Sequence, residues 1–224
     1  MLTDVEIRQA MTVGELRIDP FTEGCLQAAS YDFRVGDQAF ISGTEEVTDV
    51  ANKGLVIIDP GEFAVIATRE SVRCGPQCAA QLGLDSQYAR HGLVLLSGPQ
   101  IDPGFSGVLV VRVTNLAPRR ITLAYEAPFL TVQFFRLNRP VEKPYAGSRQ
   151  GQTGLGKTDI EELTHPDSPT LGGMVRSLSA LAQDVSGLNT SVARLEGSVS
   201  RLSWLVPLLV AFGIAVTAIL TALK

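Results

Sequence analysis

Residues 84–107 read LDSQYARHGL, VLLSGPQ and IDPGFSG in succession. The Asp102-Pro103-Gly104 sequence is a strong turn signal. The chain on both sides, from residue 16 to 137, alternates short β-rich runs with Gly, Pro, Asn and Asp. These runs are Tyr31–Val35, Leu55–Ile58, Phe63–Thr68, Val108–Thr114, Ile121–Ala124 and Phe129–Phe135. Short strands separated by frequent turns predict a mainly β fold, an antiparallel barrel or jelly roll.

A short helix is predicted before the first strand, over residues 4–12. Thr3 is a suitable N-cap residue, and Glu6 follows three positions later. A Thr and a Glu at this spacing can form a capping box, in which each side chain binds the other residue's backbone N–H.

Length, charge and cysteine content limit the class of protein. The chain has 224 residues, enough for one domain and an appendage, and its net charge of −4 argues against nucleic-acid binding. The three cysteines, Cys25, Cys74 and Cys78, do not make an even disulfide framework, and the N-terminus lacks a signal-peptide pattern. These features predict that the bulk of the protein resides in a reducing cytoplasm. We predict no metal site, because the Cys74–Cys78 spacing is not C-x-x-C and no second pair follows.

The C-terminal part of the chain has a different period. Apolar residues recur at spacings of three and four at Leu178, Leu181, Val185, Leu188, Val192, Leu195, Val199 and Leu202. This heptad pattern predicts a self-associating coiled coil over residues 171–202, joined by a linker at 159–170 to a domain at 1–158.

An uncharged run, residues 202–223, closes the chain and predicts one transmembrane helix over residues 203–223. Arg176, Arg194 and Arg201 precede the run and only Lys224 follows it. By the positive-inside tendency, we predict a single-pass, tail-anchored protein of the cell inner membrane with a cytoplasmic N-terminal domain. The lipid bilayer would then be a partner.

Several motifs of the chain resemble the dCTP deaminase branch of the dUTPase superfamily. Residues 84–107 are similar to the family patterns G-R-S-S-L-A-R-x-G-L and I-D-P-G-[WF]-x-G, and residues 29–36 (ASYDFRVG) to S-x-D-x-R-x-G. Residues 1–7 and 14–20 resemble the opening helix and first strand, and residues 149–154 (RQGQTG) the Y-Q-G-Q-x-G arm. The resemblance implies a jelly-roll-like barrel, usually a homotrimer, with nucleotide pockets between subunits. It also implies that an arm, here residues 145–158, folds over the bound nucleotide.

The resemblance also predicts where the chain departs from the family chemistry. The glutamate that acts as the family's general base aligns with Arg112, and no Asp or Glu lies between Asp102 and Glu126. Arginine stays protonated and cannot serve as a base. The family's phosphate-binding arginine and lysine align with Asp85 and Ser148. We therefore predict no catalytic residue, with a residual role left open for Asp102.

The predicted ligand-binding residues are those that the resemblance places at the pocket or in the arm: Ser86, Arg90, Asp102, Arg112, Tyr145, Gln152 and Lys157. For Asp102 three roles stay open: it could cap its own Asp-Pro-Gly turn, contact the ligand, or activate water for attack on a triphosphate.

These observations lead to three hypotheses. The first is a catalytically inactive nucleotide sensor coupled to a membrane-spanning effector. A bacterial antiphage effector gated by a nucleotide second messenger fits this architecture. The alternative is a membrane-tethered active dCTP deaminase or dUTP diphosphatase, and the third hypothesis is a scaffold without a ligand. No cofactor is predicted beyond Mg²⁺, which would accompany a nucleoside triphosphate.

Overall fold

The structure is a computed structural model, and it describes residues 1–42, 44, 46–161, 174, 177–178, 180–192, 194 and 210–215. The chain divides into two compact units, Met1–Val175 and Arg176–Lys224. The helices of the first unit are α1 (Asp4–Thr12), α2 (Val50–Lys53), α3 (Ser86–Arg90) and α4 (Lys157–Glu161). Its strands are β1 (Leu16–Asp19), β2 (Leu26–Gln27), β3 (Ser30–Ile41), β4 (Thr48–Asp49), β5 (Leu55–Ile58), β6 (Phe63–Cys74), β7 (Cys78–Leu84), β8 (Leu93–Leu95), β9 (Gln100–Ile101), β10 (Ser106–Asn115), β11 (Ile121–Ala124) and β12 (Pro128–Arg136).

Helix α1 has the predicted bounds and the predicted cap. The Glu6 carboxylate accepts a hydrogen bond from the Thr3 backbone N–H at 2.9 Å, and Thr3 Oγ1 accepts one from the Glu6 backbone N–H at 3.4 Å. This capping box satisfies backbone donors that the first turn of a helix leaves unpaired. The helix buries Ile7 and Ala10, which hold it against the rest of the unit.

The strands form a curled antiparallel sheet, which confirms the prediction of a mainly β fold. Strands β8, β10, β6, β3, β12, β7 and β9 pair in that order, and β5 and β11 form a separate two-stranded sheet. One core contains the buried rings of Tyr31 and Phe33, which alternate along β3, and those of Phe129 and Phe134 of β12. Burying a side chain of this size stabilises the fold by about 1.5–3 kcal/mol.

A buried ion pair links β3 to β6. Arg34 Nε lies 2.6 Å from Glu70 Oε1, and the Arg34 backbone N–H donates to Glu70 Oε2 at 2.8 Å. The Glu70 side chain is 0% exposed and that of Arg34 is 13% exposed. A buried charge is tolerated only when it is paired and hydrogen-bonded. Arg34, which belongs to the 29–36 motif, is therefore a structural residue in this protein.

The structure does not support the coiled coil predicted at 171–202 or the membrane span predicted at 203–223. Residues 180–192 are helical and exposed, and most of the predicted span, apart from residues 210–215, lies outside the described residues. Among the residues that are described, no helix is both long and apolar enough to cross a membrane. Residues 162–170 of the predicted linker also lie outside the described residues. The domain boundaries and the inner-membrane localisation stay predictions.

Candidate active site

A cavity of about 400 Å³ lies beside β10, at the loop that carries the IDPGFSG motif. Its lining mixes apolar side chains with groups that can bind or transfer protons. The charged and polar side chains among the lining residues are Ser97, Gln100, Asp102, Arg112, Tyr145, Arg149, Gln152 and Asp159. The apolar ones are Leu82, Leu96, Ile101, Phe105, Leu109, Val110 and Val111. Apolar walls with a few polar groups are typical of small-molecule sites.

Asp102 lines this cavity, and its backbone makes the turn. The Asp102 carbonyl accepts from the Phe105 N–H at 3.1 Å, whereas the carboxylate accepts from Gln100 Nε2. The loop is fixed to the end of β6, because the Gly104 N–H donates to the Cys74 carbonyl at 2.9 Å. Asp102 therefore does not use its carboxylate to cap the turn. Of the three open roles, the geometry favours contact with a ligand or with water.

The arm predicted at 145–158 packs along the first residues of β10. The Val108 N–H donates to the Gln152 carbonyl at 3.0 Å, and Gln152 Nε2 donates to the Val108 carbonyl at 2.7 Å. At the start of the arm, the Tyr145 N–H donates to the Pro103 carbonyl at 2.8 Å. The ring of Tyr145 meets Phe105 edge-on at 5.6 Å. Tyr145 and Gln152 both line the cavity.

Two glycines of the IDPGFSG motif make room for the arm. A Cβ on Gly107, where φ is 150°, would lie 2.8 Å from the Gln152 carbonyl oxygen. A Cβ on Gly104, where φ is 91°, would lie 2.9 Å from the Tyr145 nitrogen. Both neighbours are backbone atoms, which cannot move aside without displacing the arm. The motif therefore requires glycine at these two positions for contact with the arm as well as for the turn.

The Gly107→Ala variant is expected to loosen the arm. Strain of about 1–3 kcal/mol would favour release of the arm from β10, and we expect trypsin to cleave after Arg149 about tenfold faster. Mass spectrometry of a digestion time course measures this rate. Gly83→Ala is the matched control, because a Cβ at Gly83 meets nothing within 4 Å. Equal cleavage rates in the two variants would contradict the proposed contact.

Arg112 lies on β10 with its side chain half-buried in the cavity lining. Its backbone N–H donates to Ser97 Oγ at 2.8 Å, which joins β10 to the segment after β8. Arg112 therefore places a cation at the cavity wall, and its predicted contact with a ligand stays a prediction.

Arg149 and Asp159 are functional candidates that the sequence analysis missed. Asp159 is buried, and its Oδ1 lies 2.6 Å from Arg149 Nη1. The two residues are ten positions apart on either side of a Gly-rich turn, so no helical or strand spacing connects them. The only signal in the sequence was the presence of two opposite charges, Arg149 and Asp159, near the end of the arm.

The remaining predicted residues lie outside the cavity within this chain. Ser86 begins α3, where Asp85 is the N-cap and accepts from the Gln87 N–H at 2.7 Å. Arg90 is bound to Ser86, because its Nη2 donates to Ser86 Oγ at 2.9 Å. Lys157 is the first residue of α4. Their predicted contacts with a ligand stay predictions.

A curled β fold with a cavity beside the IDPGFSG loop defines the architecture, and the comparisons identify the family. Residues 1–137 match the model of the dCTP deaminase-like family, to which this chain belongs. The fold is accordingly dUTPase-like.

Relatives of this chain are named as dCTP deaminases. The chain is 38% identical to the dCTP deaminase of Pyrococcus horikoshii over 155 residues, which are 69% of this chain and 94% of the relative. It is 31% identical to the dUMP-forming dCTP deaminase of Aquifex aeolicus, over 73% of this chain and 98% of the relative. The crystal structure of the dCTP deaminase from Agrobacterium tumefaciens has the same fold, with a TM-score of 0.51 and 17% identity. That match covers 61% of this chain and 48% of that structure.

The prediction of an inactive sensor and membrane effector is therefore wrong. Relatives that are 31–38% identical to the chain are named dCTP deaminases, and no feature of the described residues shows a loss of activity. Inactivity was inferred from Arg112 at the family's glutamate position and from Asp85 and Ser148 at its phosphate-binding positions. The fold brings two carboxylates into the cavity from elsewhere, Asp102 from the β9–β10 loop and Asp159 from α4.

Proposed function

We propose that the chain is an enzyme that hydrolytically deaminates the cytosine of dCTP. The observation that carries this proposal is the 38% identity to a dCTP deaminase over 94% of that enzyme's length. The cavity beside the shared IDPGFSG loop is the site that we assign to the nucleotide. Its apolar lining suits a pyrimidine ring, and its two arginines, Arg112 and Arg149, suit phosphates.

Deamination requires that water attacks C4 of cytosine and that ammonia leaves. A base must take a proton from the attacking water, and the same proton can then be passed to the departing amine. Among the described residues that line the cavity, Asp102 and Asp159 supply the carboxylates. Asp159 is committed to Arg149 and to the Gly156 N–H, whereas the Asp102 carboxylate contacts only Gln100 within the described chain. We therefore assign the proton transfer to Asp102.

Arg112 takes a binding role in this scheme. As a fixed cation in the cavity wall, it can hydrogen-bond the cytosine O2 or stabilise negative charge that develops on the ring as water adds. It would thus assist by electrostatics at the position where the family pattern has a base.

Cleavage of dUTP to dUMP is a second candidate activity. It is favoured by the similarity to a relative named as the dUMP-forming dCTP deaminase. Asp102 could direct water at the triphosphate as well as at the ring. Mg²⁺ would enter with the triphosphate and offset its charge, and this part of the scheme stays a prediction.

We also propose that the enzyme is a homo-oligomer, with a homotrimer implied by the family resemblance. The apolar heptad residues of the helix at 180–192 support self-association, because Leu181, Val185 and Leu188 are 60%, 49% and 65% exposed. Light scattering of the full chain, compared with a chain truncated after residue 170, tests both the oligomer and the contribution of residues 171–202.

Product analysis tests the activity. The full chain is incubated with dCTP and, separately, with dUTP, and the nucleotides are separated by anion-exchange chromatography. We expect dCTP to yield dUTP if the enzyme only deaminates, and dUMP if it also removes pyrophosphate. Unchanged dCTP at high enzyme concentration, with dCTP binding intact, would reject the proposed function.

A further inference from the structure

The arm carries an arginine that is held in place by a buried carboxylate. Arg149 Nη1 lies 2.6 Å from Asp159 Oδ1, and both side chains line the cavity. The Asp159 side chain is only 3% exposed, whereas that of Arg149 is 40% exposed. The pair therefore has a buried anion and a cation that is open to the cavity.

Both oxygens of the Asp159 carboxylate are engaged. Oδ1 meets Arg149, and Oδ2 accepts from the Gly156 N–H at 2.9 Å. A buried carboxylate is tolerated only with such partners, and removing one of them is costly. Asp159 is therefore suited to fixing the guanidinium, and it has no free oxygen with which to act on a substrate.

The guanidinium of Arg149 retains donors for a ligand. Within the described chain its contacts are made through Nη1, to Asp159 and weakly to Gln152 Oε1 at 3.5 Å. Nε and Nη2 have no protein partner among the described residues. Two adjacent N–H groups of a guanidinium match the spacing of two phosphate oxygens.

We propose that Arg149 binds a phosphate of the nucleotide and that Asp159 is a positioning residue that orients it. The inference rests on the proposed function, because it takes the ligand of the cavity to be a nucleotide. This chain has Asp85 and Ser148 where the family pattern has the phosphate-binding arginine and lysine. Arg149 would supply a cation for the triphosphate in their place. Arg149 itself occupies the tyrosine position of the family's Y-Q-G-Q arm.

The test separates phosphate contact from arm packing by comparing ligands with and without phosphates. Binding of dCTP and of deoxycytidine to the full chain is measured by thermophoresis at 4 °C. For Arg149→Gln we expect dCTP affinity to fall about 10- to 100-fold, the range for a lost charge-assisted hydrogen-bond pair. Deoxycytidine affinity should change by less than about twofold, because the nucleoside has no group for Arg149 to bind.

Three further variants complete the test. Arg149→Lys should recover part of the lost dCTP affinity, and Asp159→Asn should lower affinity for dCTP but not for deoxycytidine. Arg120→Gln, which removes an exposed Arg–Asp pair at 3.1 Å outside the cavity, should leave both affinities unchanged. Thermal unfolding of each variant confirms that it is folded.

Two outcomes would overturn the inference: equal loss of dCTP and deoxycytidine affinity in Arg149→Gln, or no loss of either. The proposed function and the phosphate contact can fail independently of each other. A wild-type chain that binds dCTP through Arg149 but releases no ammonia would reject the deaminase and keep the phosphate contact. If the wild-type chain deaminates dCTP but Arg149→Gln leaves the dCTP affinity unchanged, the phosphate contact is rejected and the deaminase is kept.

Discussion

Replacing Asp102 with asparagine is expected to lower kcat for dCTP deamination by about 10²- to 10⁴-fold, the usual contribution of a general base. Asparagine has nearly the same shape, and it can still accept the hydrogen bond from Gln100 Nε2. The turn itself is closed by the Asp102 carbonyl and the Phe105 N–H, which the substitution keeps. The change therefore removes the proton acceptor and leaves the loop in place. Steady-state release of ammonia from saturating dCTP measures kcat.

The chain contains a matched control for this substitution. Asp59-Pro60-Gly61 repeats the Asp-Pro-Gly sequence, and its Asp59 carbonyl also accepts a turn hydrogen bond, from the Glu62 N–H at 3.1 Å. Asp59 lies outside the cavity, where its carboxylate pairs with Arg120. The Asp59→Asn variant should keep kcat within about threefold of wild type, because surface pairs contribute little. Similar kcat values for both variants would contradict the assignment of Asp102 as the base.

Replacing Glu70 with glutamine is expected to lower the free energy of unfolding by about 3 kcal/mol. The substitution keeps the shape of the side chain but removes its charge, which leaves the Arg34 guanidinium in the core with a neutral partner. The Glu70 carboxylate also accepts the Arg34 backbone N–H at 2.8 Å, so the substitution affects both a charge pair and a hydrogen bond to the backbone of β3. Urea unfolding measures the loss as a lower midpoint with an unchanged slope.

Glu126→Gln is the control for the Glu70 substitution. Glu126 pairs with Arg69 at 3.1 Å, and the two side chains are 43% and 36% exposed. An exposed pair contributes about 0–1 kcal/mol, because water solvates both charges and salt screens them. If both variants lose the same stability, burial does not decide the energy of the Arg34–Glu70 pair, and our account of this motif residue is wrong.

Local signals in the sequence predicted the local features of the fold. The Thr3–Glu6 spacing predicted α1 with its correct ends, because a capping box depends on residues three positions apart. The alternation of β-rich runs and turn residues predicted β5 and β11 with their observed bounds. The structure places three of the predicted ligand-binding residues, Asp102, Tyr145 and Gln152, around one cavity, and their contact with a ligand stays a prediction.

Contacts between distant residues could not be predicted in the same way. No periodicity connects Arg149 with Asp159, and their contact depends on the path of the arm over β10. The wrong inference of inactivity relied on single aligned positions, Arg112, Asp85 and Ser148, and the relatives named dCTP deaminases contradict it. Position 112 alone indicated that the family's base was absent.

Ammonia release from dCTP by the purified full-length chain tests the central claim most directly. We expect ammonia to form in proportion to enzyme concentration, with one ammonia for each deoxyuridine nucleotide produced. Asp102→Asn, assayed beside the wild type, should remove most of this signal and exclude a contaminating deaminase. If wild-type protein that binds dCTP releases no ammonia above the level of the buffer, the chain is not a dCTP deaminase and the account is contradicted.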